Sequence, residues 1–94
     1  MTTAPEKQEL ERTLLDHIPH YAVILHNDEV HSMDFVVDAL VKSVPGLTPP
    51  EAIDIMLETH EQGKGVVIVC PLEQAEHYRD RIKSFSLGCT IERA

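Results

Sequence analysis

The chain has 94 residues, a formal net charge of -8 at pH 7, 43% hydrophobic and 26% charged residues, and no tryptophan. That describes one small domain with an aliphatic core and no room for a second. The acidic balance argues against nucleic-acid or anionic-membrane binding, which needs basic clusters, and fits a cationic or basic partner surface.

Residues 1–20 are polar, carry Pro5 and Pro19, and show only a weak spacing of Leu10, Leu14, Leu15 and Ile18. A short helix is open to them, but the composition favours a mobile N-terminal arm. They lack a continuous apolar core and so no signal peptide is expected. No segment reaches the roughly 18 apolar residues of a membrane span. A cytoplasmic protein is the expectation.

The folded domain is expected over residues 21–94. Tyr21–His26, YAVILH, is rich in strand formers. Ser32 or His31 then stands where a cap belongs, ahead of Met33, Val36, Val37, Leu40 and Val44 on one helical face. PGLTPP ends that helix and opens the next, with Thr48 as N-cap, Pro49 at the first helical position and Glu51 three residues after the cap. Ile53, Met56, Leu57 and His60 are predicted to share its stripe, and Gly63 is a natural C-terminal stop.

KGVVIVC, residues 64–70, reads as a second strand whose unbroken apolar run predicts a central position. Pro71 opens a third helix with Leu72, Ala75, Tyr78 or Arg79, Ile82 and Phe85 on its stripe. CTIER, residues 89–93, closes the chain as a short strand with Cys89 and Ile91 inward. The order β-α-α-β-α-β predicts an α+β fold with helices on one face of a three-stranded sheet. Cys70 and Cys89 are too few for a disulfide scaffold and read as small buried hydrophobes.

The short connection PGLTPP makes the first two helices antiparallel neighbours. The end of the second therefore returns to the start of the first, bringing His60 to Asn27, Asp28 and Glu29. Met33, Val36, Met56 and Thr59 fall at the same end. The predicted result is an apolar pocket with a polar, acidic rim.

Each residue has a plainer reading. Asp28 and Glu29 precede a helix, where carboxylates suit the dipole. His60 suits a last helical turn, and methionines commonly fill cores. Metal binding is a rival, since His26, Asp28, Glu29, His31 and His60 are suitable donors, but their spacing matches no established ligand motif. Nucleophilic catalysis has poor candidates: Ser32 is a cap, and neither cysteine neighbours a histidine in the sequence. An ammonium group attached to a hydrophobic side chain, as at a free protein N-terminus, would use both the acceptors and the apolar hole.

VILHNDEVHSMDFVVDAL, IMLETHEQGKGVV and CTIERA together resemble the ClpS adaptors of bacterial and plastid AAA+ Clp proteases, from Tyr21 to the C-terminus. The resemblance implies no catalysis, no cofactor and no bound metal. It implies capture of N-degron substrates beginning with Leu, Phe, Tyr or Trp, and their delivery to the N-terminal domain of a ClpA or ClpC unfoldase. By resemblance, Asn27 and His60 hold the α-ammonium, with Asp28 and Glu29 supplying charge and water-mediated contacts. Met33, Val36, Met56 and Thr59 wall the side-chain pocket, with His31 at its edge and Leu87 near its floor. Glu73 falls at the unfoldase-docking surface, and residues 1–20 match a flexible extension used in delivery. A monomer is expected.

Three departures from the family pattern stand out: His31-Ser32 in place of Thr-Pro, Glu29 in place of Asp, and Thr59 in place of Val. A regulator that docks on the unfoldase with an altered or lost pocket therefore stays open as an alternative.

Overall fold

The computed structural model describes residues 4–94. Helix α1, Ala4–Asp16, precedes strand β1, His20–His26. Helices α2, Met33–Ser43, and α3, Pro49–Gln62, follow as a hairpin. Strand β2, Lys64–Pro71, helix α4, Leu72–Lys83, and strand β3, Cys89–Arg93, complete the chain. From β1 onward this is the expected β-α-α-β-α-β order.

Local signals place the helix ends. Ser32 Oγ accepts the Phe35 N–H at 3.1 Å and caps α2, so Ser32 rather than His31 is the cap. Thr48 and Glu51 form a reciprocal capping box at the start of α3, satisfying donors that a helix end leaves free. Gly63 takes φ 87°, a left-handed conformation that a residue with a Cβ adopts only at a cost, and its N–H donates to Thr59 O. Over residues 1–20, read above as an arm, α1 covers Ala4–Asp16, and the first three residues lie outside the described part. Glu, Gln, Lys, Leu and Arg are all good helix formers, which accounts for it. The α1 side chains Lys7–Leu14 are exposed.

The sheet is antiparallel with the order β2-β1-β3, so β2 is an edge and β1 is central. This corrects the central position predicted for KGVVIVC. The pairing runs Val23 with Ile68 and then Ile24 with Val66, leaving Val67 as an extra residue in a bulge. The bulge resets the alternation, so Gly65, Val67 and Cys70 are buried while Val66 and Val69 are 44% and 49% exposed on the other face. A continuous apolar run therefore arises here without two covered faces.

The core holds Val23 and Leu25 of β1, Leu40 of α2, Ile55 of α3, and Ala75 and Ile82 of α4. Helices α3 and α4 lie on the sheet, and α2 makes its main contacts with α3 and α4. Arg81 of α4 donates to the Lys42 carbonyl at 2.6 Å, tying the end of α2 to α4.

The buried stripe of α3 differs from the predicted one. Ala52, Ile55, Met56 and Thr59 face inward, whereas Ile53 and Leu57 are 42% and 43% exposed and His60 is also exposed. The reason is close approach of α3 to β2. A Cβ on Gly65 would lie 2.4 Å from Thr59 Oγ1 and 3.2 Å from the Ile55 carbonyl oxygen. Only a short side chain fits at Thr59, against Gly65, while Ile55 and Met56 beside it are buried and Ile53 and Leu57 fall on the outer side. On α4, Leu72 is likewise exposed, while Ala75 and Ile82 carry the burial.

Candidate functional site

The site forms where β1 runs out. The His26 N–H donates to Gly88 O and the Asn27 N–H donates to Gly63 O, each at 2.9 Å. These two bonds fix the strand end between the stretch that precedes β3 and the C-terminal stop of α3. Asn27 is thereby held beside the last turn of α3, which carries His60. The antiparallel hairpin expected from PGLTPP produces this meeting.

Asp28 organises the loop that follows. Its Oδ1 accepts the Val30 N–H at 2.7 Å and the His31 N–H at 3.0 Å, and its Oδ2 accepts His31 Nδ1 at 2.5 Å. A carboxylate can only accept, so Nδ1 of His31 carries the hydrogen and Nε2 is left for other partners. The His31 backbone N–H, then its ring, then the Val30 N–H favour the charged carboxylate and hold the Asp28 carboxyl below its ordinary 3.8. The His31 ring stacks on Phe35, with centroids 4.7 Å apart, and Phe35 meets Phe85 edge-on at 6.3 Å. His31 is therefore locked from both sides.

Behind this loop lies a hollow of about 30 Å3. Asn27, Asp28, His31 and His60 line its polar side. Met33, Val36, Met56, Thr59 and Leu87 line the rest. Leu25 and His26 also line it and were not assigned to the pocket from sequence. His26 hydrogen-bonds Thr90 Oγ1 through Nε2 at 2.7 Å. Glu29 is exposed and does not line the hollow. Glu73 lies elsewhere, in the first turn of α4, beside Gln74, His77 and Tyr78 at a shallow depression.

Thr59 is 4% exposed, yet its hydroxyl is satisfied by donating to the Ile55 carbonyl at 2.7 Å. The site thus gains no unpaired polar atom from a threonine in a valine's place. Such a hollow has room for a water molecule or two, whereas a leucine side chain needs more. The movable wall is Met33, which is 48% exposed and unbranched, a side chain able to swing aside at small cost.

The chemistry on offer is acceptance and packing. An amide oxygen, an imidazole nitrogen and a carboxylate stand around an apolar cavity. Ser32 Oγ is committed to its helix cap. Cys70 and Cys89 are buried free thiols, and burial pushes Cys89 up to about 11 and Cys70 above its usual value. Among the described residues, no three His, Cys, Asp or Glu side chains gather in a metal-holding group.

Fold and site together define a small α+β domain, with a helical hairpin and a third helix on one face of an antiparallel sheet and a lined hollow at the hairpin's open end. The sequence profile described as "ATP-dependent Clp protease adaptor protein ClpS" matches residues 16–90. The ClpS adapter protein of Synechococcus elongatus is 49% identical over 74 residues, covering 79% of this chain and 78% of that one. The chloroplastic adapter CLPS1 of Arabidopsis thaliana is 40% identical over 74 residues, 79% of this chain and 46% of its own. The structure of Agrobacterium tumefaciens ClpS2 bound to L-phenylalaninamide superposes with a TM-score of 0.76 at 25% identity, covering 83% of this chain and all of that one. The chain belongs to the ClpS family of Clp protease adaptors.

Proposed function

We propose that this adaptor captures proteins by a free N-terminal residue with a hydrophobic side chain and hands them to the N-terminal domain of a ClpA- or ClpC-type unfoldase. The observation that carries this reading is the meeting of Asn27, Asp28 and His60 on one side of a hollow whose other walls are Met33, Val36, Met56, Thr59 and Leu87. A relative of the same fold binds an amino-acid amide that has a free amine and an aromatic side chain.

In this reading the α-ammonium donates to the Asn27 amide oxygen and to a ring nitrogen of His60. Asp28 supplies the negative charge, with its oxygens already ordered by the loop, and Glu29 adds to the field from the outside. The first side chain, Leu, Phe, Tyr or Trp, enters as Met33 swings out, and His31 frames the entrance. Burying one such side chain contributes roughly 1.5–3 kcal/mol, and each charge-assisted hydrogen bond a similar amount. After the costs of association this corresponds to affinity in the region of about 1 μM. Glu73 and its neighbours on α4 form the unfoldase-docking surface, residues 1–20 assist delivery, and the adaptor acts as a cytoplasmic monomer without catalysis.

The test is fluorescence anisotropy with dye-labelled peptides beginning with Phe, Leu, Tyr or Trp, each beside its N-acetylated form. Free-amine peptides bind and acetylated ones do not. Asn27→Ala and His60→Ala each abolish capture while leaving the circular dichroism spectrum unchanged, since both side chains are exposed. Equal binding of acetylated and free peptides refutes the reading.

The tightness of the hollow favours one second reading. If the walls do not part, the protein docks on the unfoldase and ignores every N-degron, acting as a regulator. Failure of all four peptides, together with binding to the unfoldase N-terminal domain, would establish that role instead.

A further inference from the structure

Met33 and Met56 wall more than the hollow. On their other side a groove of about 460 Å3 runs between α2 and α3. From α2 it is lined by Met33, Val37 and Val41, spaced four apart on one helical face. Pro49, Ile53 and Met56 line it from α3. Ile53, the residue expected in the core from periodicity, is half-exposed here because it faces this groove. Asp34 and Asp38 lie along the α2 side, and Lys42 pairs with Asp38 at 2.8 Å toward the far end. Asp34 also stands in the first turn of α2, where a carboxylate suits the helix end, so the apolar row weighs more than the charge.

We infer that this groove is a second subsite, which receives the residues following the captured N-terminal one and prefers apolar side chains interspersed with basic ones. The inference rests on the proposed capture of a free N-terminus in the adjoining hollow. Continuity chooses the occupant. With the ammonium on the Asn27–His60 side, the remaining chain must leave over another part of the rim. Met33 and Met56 are the walls common to both cavities, and a chain crossing them enters the groove.

Length agrees. From Met33 to Val41 the groove follows eight helical residues, or about 12 Å. An extended peptide advances about 3.3 Å per residue, so three to four residues fit. Helices offer such a peptide no free backbone partners along their length. Recognition must therefore come from side chains against Val37, Val41 and Ile53, and from cationic groups beside Asp34.

The experiment measures the full chain against dye-labelled peptides sharing the first residue that binds, for instance Phe-Leu-Arg-Leu, Phe-Gly-Ser-Gly and Phe-Asp-Glu-Asp. The matching amino-acid amide, which fills the hollow alone, serves as competitor. Phe-Leu-Arg-Leu should bind about tenfold more tightly than Phe-Gly-Ser-Gly, as one further well-buried aliphatic side chain supplies. The acidic peptide should be weakest. Ile53→Glu should remove most of the tenfold advantage with the amide's affinity unchanged, and Asp34→Lys should abolish the preference for arginine. Three peptides within twofold of one another, with the amide still binding, overturn the subsite and leave N-terminal capture intact. If no amide binds, the capture reading itself fails, and the groove loses its occupant with it. A change in self-association or in unfoldase binding caused by Ile53→Glu, with no effect on the peptides, would assign the groove to that partner and refute the inference.

Discussion

Gly65→Ala should strongly destabilise this protein, and the structure says by what route. The new methyl would sit 2.4 Å from Thr59 Oγ1, 3.2 Å from Ile55 O and 3.4 Å from Thr59 N. The Thr59 side chain could turn away, but its hydroxyl would then leave the Ile55 carbonyl and lie buried without a partner. The Ile55 oxygen is helix backbone and has nowhere to go. Helix α3 must therefore move off β2. Overpacking of this kind costs about 1–3 kcal/mol, and a buried unpaired hydroxyl adds about 1–3 kcal/mol when it cannot find a new partner. The expected loss is about 2–6 kcal/mol, a fall in Tm of roughly 10–30 °C for a domain of this size. Thermal and urea denaturation followed by circular dichroism measure it. The double variant Gly65→Ala/Thr59→Ala removes the worst contact, so its loss should be smaller than the sum of the two single losses by about 1 kcal/mol or more. Since the moved segment carries Thr59, His60 and Gly63, the folded fraction of Gly65→Ala should also capture peptides more weakly. A Gly65→Ala protein within about 0.5 kcal/mol of the parent would refute the packing argument.

Asp28 makes a prediction in pH. Its folded-state pKa lies below the ordinary 3.8, so its contribution to stability is fully present above that value and is lost as pH falls through the folded pKa. The Tm gap between the parent and Asp28→Asn should hold steady from pH 8 to about pH 5 and close only in stronger acid; a gap that closes between pH 7 and 6 would contradict this. Ser43 is fully buried and its hydroxyl has no hydrogen-bond partner among the described residues. Ser43→Ala should therefore stabilise the fold by about 1 kcal/mol, raising Tm by roughly 4–8 °C, and a lower Tm would show that the hydroxyl is paired. A thiol reagent at pH 8 should label neither Cys70 nor Cys89 in the native protein and both after denaturation, because each is buried and its thiolate is disfavoured.

Residues near one another in sequence carried most of what could be read before folding was considered. Ser32, the Thr48–Glu51 pair and Gly63 act on backbone groups within four residues, and the helix ends they predict agree with the structure. The hairpin's short connection also brought His60 to Asn27 and Asp28, because helices so joined are antiparallel neighbours and the end of the second returns to the start of the first. Where the outcome depended on partners distant in sequence, periodicity was not enough. KGVVIVC is an edge strand because β1 pairs on both sides, and a bulge at Val67 disguises its one buried face. The buried side of α3 was decided by how it meets β2, with Thr59 against Gly65, Ile55 and Met56 inward and Ile53 and Leu57 outward. The tightness of the hollow likewise depends on how Met33, Met56 and Leu87, far apart in sequence, come together. Hydrophobic pattern reports that a residue prefers burial, but only assembled neighbours determine whether there is space for it.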